Sequence, residues 1–99
     1  TFEDPIEYIM ENATQVAIND RKNISFLKAL KTSLRQDPDI IVIGEIRDKE
    51  TLETAIQAAL SGHLIISSMH SSDTIKTIAR LIDLGITPQL IIDSVVGIL

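Results

Sequence analysis

Apolar positions along the chain fall into short blocks separated by polar and charged residues, and the spacing changes from block to block. Ile40-Ile41-Val42-Ile43 is a continuous β-branched run, which predicts a strand covered on both faces. Leu64-Ile65-Ile66 predicts a second buried strand running toward Met69, and residues 15–18 predict a short one with Val16 and Ile18 on one face. Elsewhere the spacing is helical. Ser25 is placed to cap a helix carrying Leu27, Leu30 and Leu34, which Asp37-Pro38 stops. Asp48 caps a helix with Leu52, Ala55, Ile56, Ala59 and Leu60 on one stripe, ended by Gly62. Asp73 caps another, with Ile75, Ile78, Ala79 and Ile82 aligned and Gly85 at its close. Thr87-Pro88 starts a last apolar helix that runs on to Leu99. Asp4-Pro5-Ile6-Glu7 reads as one more helix start, with Asp4 as cap and Glu7 as the capping-box acid.

Strands that alternate with helices predict parallel βαβ units with right-handed crossovers. In an open parallel sheet, ligands bind beyond the carboxyl ends of the strands. Gly44-Glu45-Ile46-Arg47-Asp48 follows the first buried strand, and His70-Ser71-Ser72 follows the second. Glu45 and His70 are therefore expected on one edge of the sheet, facing one crevice. An acid after an apolar strand and a glycine is how phosphate-loop NTPases present a carboxylate to a metal or an attacking water.

Composition narrows the partners. The 99 residues are 44% hydrophobic, which predicts folding, and the net charge of -5 repels phosphate backbones. Only Phe2, Tyr8 and Phe26 are aromatic, so base stacking is disfavoured too and no direct nucleic-acid contact is expected. There is no cysteine, which removes disulfides and thiolate metal sites from this stretch. The apolar runs are far shorter than the roughly 20 residues that span a bilayer, so no transmembrane segment is expected.

Three blocks of sequence resemble those of the type II secretion and type IV pilus-assembly ATPases. TFEDPIEY at 1–8 is similar to their acidic Asp box, LRQDPDIIVIGEIRD at 34–48 to their Walker B region, and AALSGHLIISSMHS at 58–71 to their His box. The blocks stand in the family's order and spacing, and the likeness covers nearly the whole chain. Ser61 before Gly62-His63, and SSMHS in place of STLHT, are mild departures. The resemblance implies an α/β fold, a partial RecA-like P-loop NTPase core with a mainly parallel sheet and flanking helices. It implies that residues 1–99 are a single fragment of a C-terminal RecA-like ATPase domain. The parent would be a homo-hexameric motor using ATP and Mg2+. It would sit in the cytoplasm, peripheral to the membrane, against the inner-membrane platform of a secretion, pilus or competence machine.

By position, Glu45 matches the glutamate that orients the attacking water, and Glu3 and Glu7 match the Asp-box acids near metal and water. Glu3 and Asp4 would lie in the vicinity of Mg2+. His70 matches the histidine that senses the γ-phosphate, and His63 the other His-box histidine. Gly44 and Arg47 fall beside the nucleotide, and Arg35 matches a family arginine flanking Walker B.

Several of these residues also have plainer readings. Glu45 can be a polar strand cap, Glu7 and Asp4 can cap a helix, and His63 can be a hydrogen-bonded structural histidine. Glu3 has no obvious local partner, which favours a functional role. Arg47 can be a solvated charge. His63 and His70 are seven apart, an odd separation that puts strand side chains on opposite faces and disfavours a shared zinc. Nowhere is there GxxxxGK[ST]: the glycines are Gly44, Gly62, Gly85 and Gly97, and no Gly-Lys pair exists. The chain thus lacks the Walker A cradle of backbone N–H groups, expected upstream of Thr1, and is expected to be inactive by itself. The alternatives are a non-enzymatic α/β scaffold or binding domain with strand-end acids, and a metal-dependent hydrolase built on Glu3, Glu45 and His70.

Overall fold

The computed structural model describes the backbone of Thr1–Leu99 and every side chain except that of Asp20. Four strands form one sheet: β1 (Phe2–Glu3), β2 (Val16–Ala17), β3 (Ile40–Ile43) and β4 (Leu64–Ser67), in the order β2-β1-β3-β4. Every pairing is parallel, as the alternation predicted. β3 and β4 are aligned from Ile40↔Leu64 to Ile43↔Ser67. Phe2 pairs with both Val16 and Ile43, which brings the start of the chain to the end of β3.

Helices α1 (Phe26–Ser33), α2 (Lys49–Leu60), α3 (Thr74–Asp83) and α4 (Pro88–Ser94) begin at the caps the sequence marked. Ser25, Asp48, Asp73 and Thr87 each accept a backbone N–H three residues on. A 3-10 turn, Leu34–Gln36, and Asp37 in the left-handed region end the first helical stretch before Pro38. The core lies between one face of the sheet and the helices. Phe2, Ile41 and Ile43 meet Ala29 and Leu30 of α1, Leu52, Ala55 and Ile56 of α2, and Ile91 of α4.

Four expectations are corrected. No helix starts at Asp4. The Asp4-Pro5 peptide is cis, and residues 4–15 form an irregular loop whose backbone is served by a side chain: Gln15 Oε1 accepts the Met10 N–H and Gln15 Nε2 donates to the Tyr8 carbonyl. The β3 and β4 strands are covered on one face only. Ile40 is 58% exposed, and Leu64 and Ile66 are nearly half exposed, because α1, α2 and α4 all lie on the Ile41/Ile43 side. In α3 the aligned Ile75, Ile78 and Ile82 face outward, and Leu81 is the buried residue that meets the core. Finally, α4 ends at Ser94 rather than running to Leu99. Val95 is already extended, and the β-branched pair with Gly97 beyond it has little helical preference and no packing to impose one, since Val96 and Leu99 stand in solvent.

Candidate functional site at the carboxyl edge of the sheet

Glu45 is fixed by its neighbours on either side. The Gly44 N–H donates to the Phe2 carbonyl at 2.8 Å, and the Gly44 carbonyl accepts the Ser68 hydroxyl. Gly44 is thus tied to the chain on both sides, and a side chain there would be crowded. A Cβ would lie 3.0 Å from the Phe2 oxygen, a backbone atom held by its own pairing. On the far side, Ile46 is buried and its N–H donates to the Ser68 carbonyl at 3.1 Å. With Ile46 anchored in the core, alternation turns the Glu45 side chain to the rim.

There it meets a guanidinium and an imidazole. Arg47 donates to Glu45 Oε1, and His70 Nε2 lies 3.0 Å from Glu45 Oε2. The carboxylate is 16% exposed while the imidazole is 89% exposed, so the acid sits at the base of the cluster and the histidine above it. The Arg47 hydrogen bond, aided by its charge and by His70, holds the Glu45 carboxyl below the ordinary carboxylate range against the opposing effect of partial burial. His70 is carried by the irregular turn after β4. Half-buried Met69 packs against the core on one side, and on the other Ser71 reaches Thr77 and the Asp73 carbonyl at the start of α3.

Glu3 closes β1, the strand next to Glu45's own, and it does have local partners. Its carboxylate accepts the Thr1 hydroxyl and, at 3.0 Å, Gln15 Nε2, with the Glu7 backbone adding to them. The Thr1 hydroxyl first, then Gln15, hold its carboxyl below the ordinary value. Glu7 and Asp4 are exposed on the loop, and neither caps a helix. His63 stands at the opposite end of β4, with Nδ1 3.0 Å from the Ala58 carbonyl at the end of α2. The four residues of β4 separate it from the rim, roughly 13 Å of extended chain. Arg35 lies in the turn before β3, also at the far end, where it lines a shallow cleft with Lys28 and Lys31. The rim therefore gathers Gly44, Glu45, Arg47 and His70, with Glu3 on the adjacent strand, and leaves His63 and Arg35 apart. Sequence reasoning missed Gln15 and Ser68, since a lone amide and a lone hydroxyl beside a strand carry no motif.

Among the described residues no cluster of three His, Asp or Glu side chains could cage a metal ion. Mg2+ does not need one, because it is usually held by one or two carboxylates together with substrate phosphates.

The sequence model of the family described as type II/IV secretion system protein matches residues 1–99. The chain belongs to that family. It is 48% identical over its whole length to the type II secretion system protein E of Pseudomonas aeruginosa, of which it covers 20%. It is 46% identical to that organism's type II secretion system protein HxcR, covering 21% of it, and 44% identical to the type II secretion system ATPase E of Vibrio cholerae, covering 20%. The chain thus spans about a fifth of the length of the curated relatives it matches. Among solved structures, the ATPase DotB of Yersinia pseudotuberculosis superposes with a TM-score of 0.73 at 32% identity, over 90% of this chain and 24% of that one. DotB of Legionella pneumophila gives 0.72 at 29%, over 91% of this chain and 26% of that one. The α/β fold with its mainly parallel sheet is thus part of the fold of those ATPases, the partial RecA-like core that the motif blocks implied.

Proposed function

We propose that this chain is the Walker B and His-box portion of a hexameric secretion ATPase, and that Glu45 orients the water that attacks the γ-phosphate of ATP. One observation carries the reading: a single carboxylate at the end of a central parallel strand, held between Arg47 and His70. A carboxylate kept ionised accepts a hydrogen bond from water, and the Arg47 guanidinium and the His70 ring N–H beside it favour an incoming phosphate. Mg2+ bound with ATP would supply charge neutralisation at the β- and γ-oxygens. Arg47 and His70 bind and orient phosphate oxygens, with His70 reading the presence of the γ-phosphate. Gly44 lets the backbone approach closely, and Glu3 extends the acidic rim toward metal and water, with Asp4 and Glu7 on the loop that follows it in sequence.

The bare sheet face and the open edge of β4 support the reading of the chain as part of a C-terminal RecA-like domain. Ile40, Leu64 and Ile66 are apolar surface that further chain of such a domain would cover. The phosphate-binding loop would come from there, so the 99-residue polypeptide alone neither binds ATP tightly nor hydrolyses it. The names of the relatives favour type II secretion over pilus or competence assembly for the machine. A homo-hexamer at the cytoplasmic face of the membrane, engaging the machine's inner-membrane platform, follows from the same kinship. Among the described residues no helix is long and apolar enough to cross a membrane.

The test is Glu45→Gln in the full-length protein. Turnover of Mg2+-ATP falls by about 10²–10⁴-fold while nucleotide affinity is kept. Wild-type turnover in that variant would sink the assignment and leave a non-catalytic scaffold as the better account.

A further inference from the structure

Gln15 stands just before β2, outside every motif block, yet its side chain makes three hydrogen bonds to groups far apart in sequence. Nε2 donates to Glu3 Oε1 at 3.0 Å and to the Tyr8 carbonyl at 2.8 Å, and Oε1 accepts the Met10 N–H at 2.8 Å. Only an amide can do this, because the task needs donors toward a carboxylate and a carbonyl and an acceptor toward an N–H on the same short arm. The loop it gathers is otherwise lightly held, by the Glu7 backbone against Glu3 and a long bond of 3.4 Å from the Ala13 N–H to the Met10 carbonyl. Tyr8 and Ile9 are 80% and 91% exposed.

The position of Gln15 is itself fixed. Val16 N–H donates to the Thr1 carbonyl at 2.9 Å and Ile18 N–H to the Glu3 carbonyl at 2.8 Å, so the backbone on which Gln15 rides is laced to the strand that ends in Glu3. Buried Phe2 and Ile18 lock that pair of strands onto the core. The amide is thus a rigid bracket between the sheet, the carboxylate and the loop.

We propose that Gln15 is a positioning residue for the site, aiming the Glu3 carboxylate and folding the loop that carries Asp4 and Glu7 against it. The proposal rests on the reading of Glu3 as an acid of the rim. Gln15 acts through Glu3. The titratable residue facing Glu3 is Glu7, which meets it through its backbone.

The experiment compares Glu3→Gln, Gln15→Met and Gln15→Glu in the full-length protein, by Mg2+-ATP turnover as a function of pH and of ATP concentration. Met keeps the bulk of Gln15 and removes its donors and acceptor. The expected result is a fall in kcat of about tenfold with KM for ATP nearly unchanged, the usual scale for losing a group that orients a ligand-binding side chain. Glu at this position sets a second carboxylate against Glu3, so the acid limb of the kcat profile moves up by about one pH unit. That shift shows that position 15 faces Glu3 and that the Glu3 charge matters to turnover, while the fall in kcat at unchanged KM in Gln15→Met is what a merely structural role would not produce. If Glu3→Gln is impaired while both Gln15 variants keep the wild-type kcat and pH profile, Gln15 positions nothing and the proposal is overturned. If Glu3→Gln turns over normally, the rim reading of Glu3 fails first and the proposal falls with it. Should Gln15→Met not fold, Gln15→Leu takes its place and is read by the same split between kcat and KM.

Discussion

Asp48 does two things at once, and separating them gives a quantitative test. Its Oδ1 accepts the Thr51 N–H at 2.8 Å, the capping bond of α2, and its Oδ2 accepts the Thr51 hydroxyl at 2.7 Å. Thr51 is only 1% exposed, so its hydroxyl depends on that carboxylate. Replacing Asp48 with Ala removes the cap, at about 1 kcal/mol, and strands a buried hydroxyl, at about 1–3 kcal/mol more. The sum is about 2–4 kcal/mol. In a Thr51→Val background no hydroxyl remains to be stranded, and the same change costs about 1 kcal/mol. Asn in place of Asp48 keeps an acceptor for the N–H and costs less than Ala in either background.

The assay is urea unfolding of the four proteins of the cycle, followed by far-ultraviolet circular dichroism. With a slope of about 1–1.5 kcal/mol per molar urea, Asp48→Ala shifts the midpoint by about 2 M in the parent background and by less than about 1 M in the Thr51→Val background. The coupling energy is then about 1–3 kcal/mol. Equal costs in the two backgrounds would refute the reasoning, because they would mean that water, not Asp48, satisfies the Thr51 hydroxyl.

The remaining predictions concern the rim and the turns. Glu45 has a folded-state pKa below its ordinary value, so whatever stability its ionisation contributes is fully present above the unfolded value near 4.5 and is lost as pH falls through the lower folded one. Arg47→Met removes the leading cause, and the Glu45 carboxyl followed by carbon-13 NMR then titrates at higher pH. An unchanged titration would show that Arg47 is not what holds the charge. Gly62 and Gly85 both sit at positive φ, 103° and 94°, but only Gly85 is crowded, with a Cβ falling 3.1 Å from Lys49 Nζ. Gly62→Ala therefore costs about 1 kcal/mol by urea unfolding. Gly85→Ala costs a few tenths more, and no more than that because the Lys49 arm can swing aside. A much larger penalty at Gly85 would mean that the lysine is pinned.

What the sequence made legible is what short-range chemistry decides. Each capping side chain is visible because it works over three residues, and β3 and β4 announce themselves through their apolar runs, whereas the two residues of β1 carry no such run and predict no strand. The meeting of Glu45 with His70 follows from topology alone, since two parallel strands end at the same edge. The loop at 4–15 is not legible. Asp-Pro-x-Glu is a sound helix start locally, but the donors and acceptors that a helix would have satisfied are taken by Gln15, a residue beyond the segment itself. Glu3 looks partnerless in the sequence for the same reason, as Gln15 reaches it across a strand pair rather than along the chain.

The mismatch in burial has a different origin. Ile40, Leu64, Ile66, Ile75, Ile78 and Ile82 have the pattern of covered residues and are exposed. Local pattern reports the environment for which a residue was selected, and exposure reports the contacts that this stretch of chain supplies. The two agree on the Ile41/Ile43 side of the sheet, where α1, α2 and α4 pack, and part company on the other side and along α3. The rim cluster sits where they agree. Gly44 and Ile46 draw their hydrogen bonds from Phe2 and Ser68, both within this chain, and Ile46 is anchored in the covered core. The placement of Glu45 therefore does not depend on covering the bare face, whereas the proposed binding of a triphosphate draws on groups from outside this stretch. On the function proposed above, this stretch of chain sets the acid in place and another part of the protein holds the phosphate.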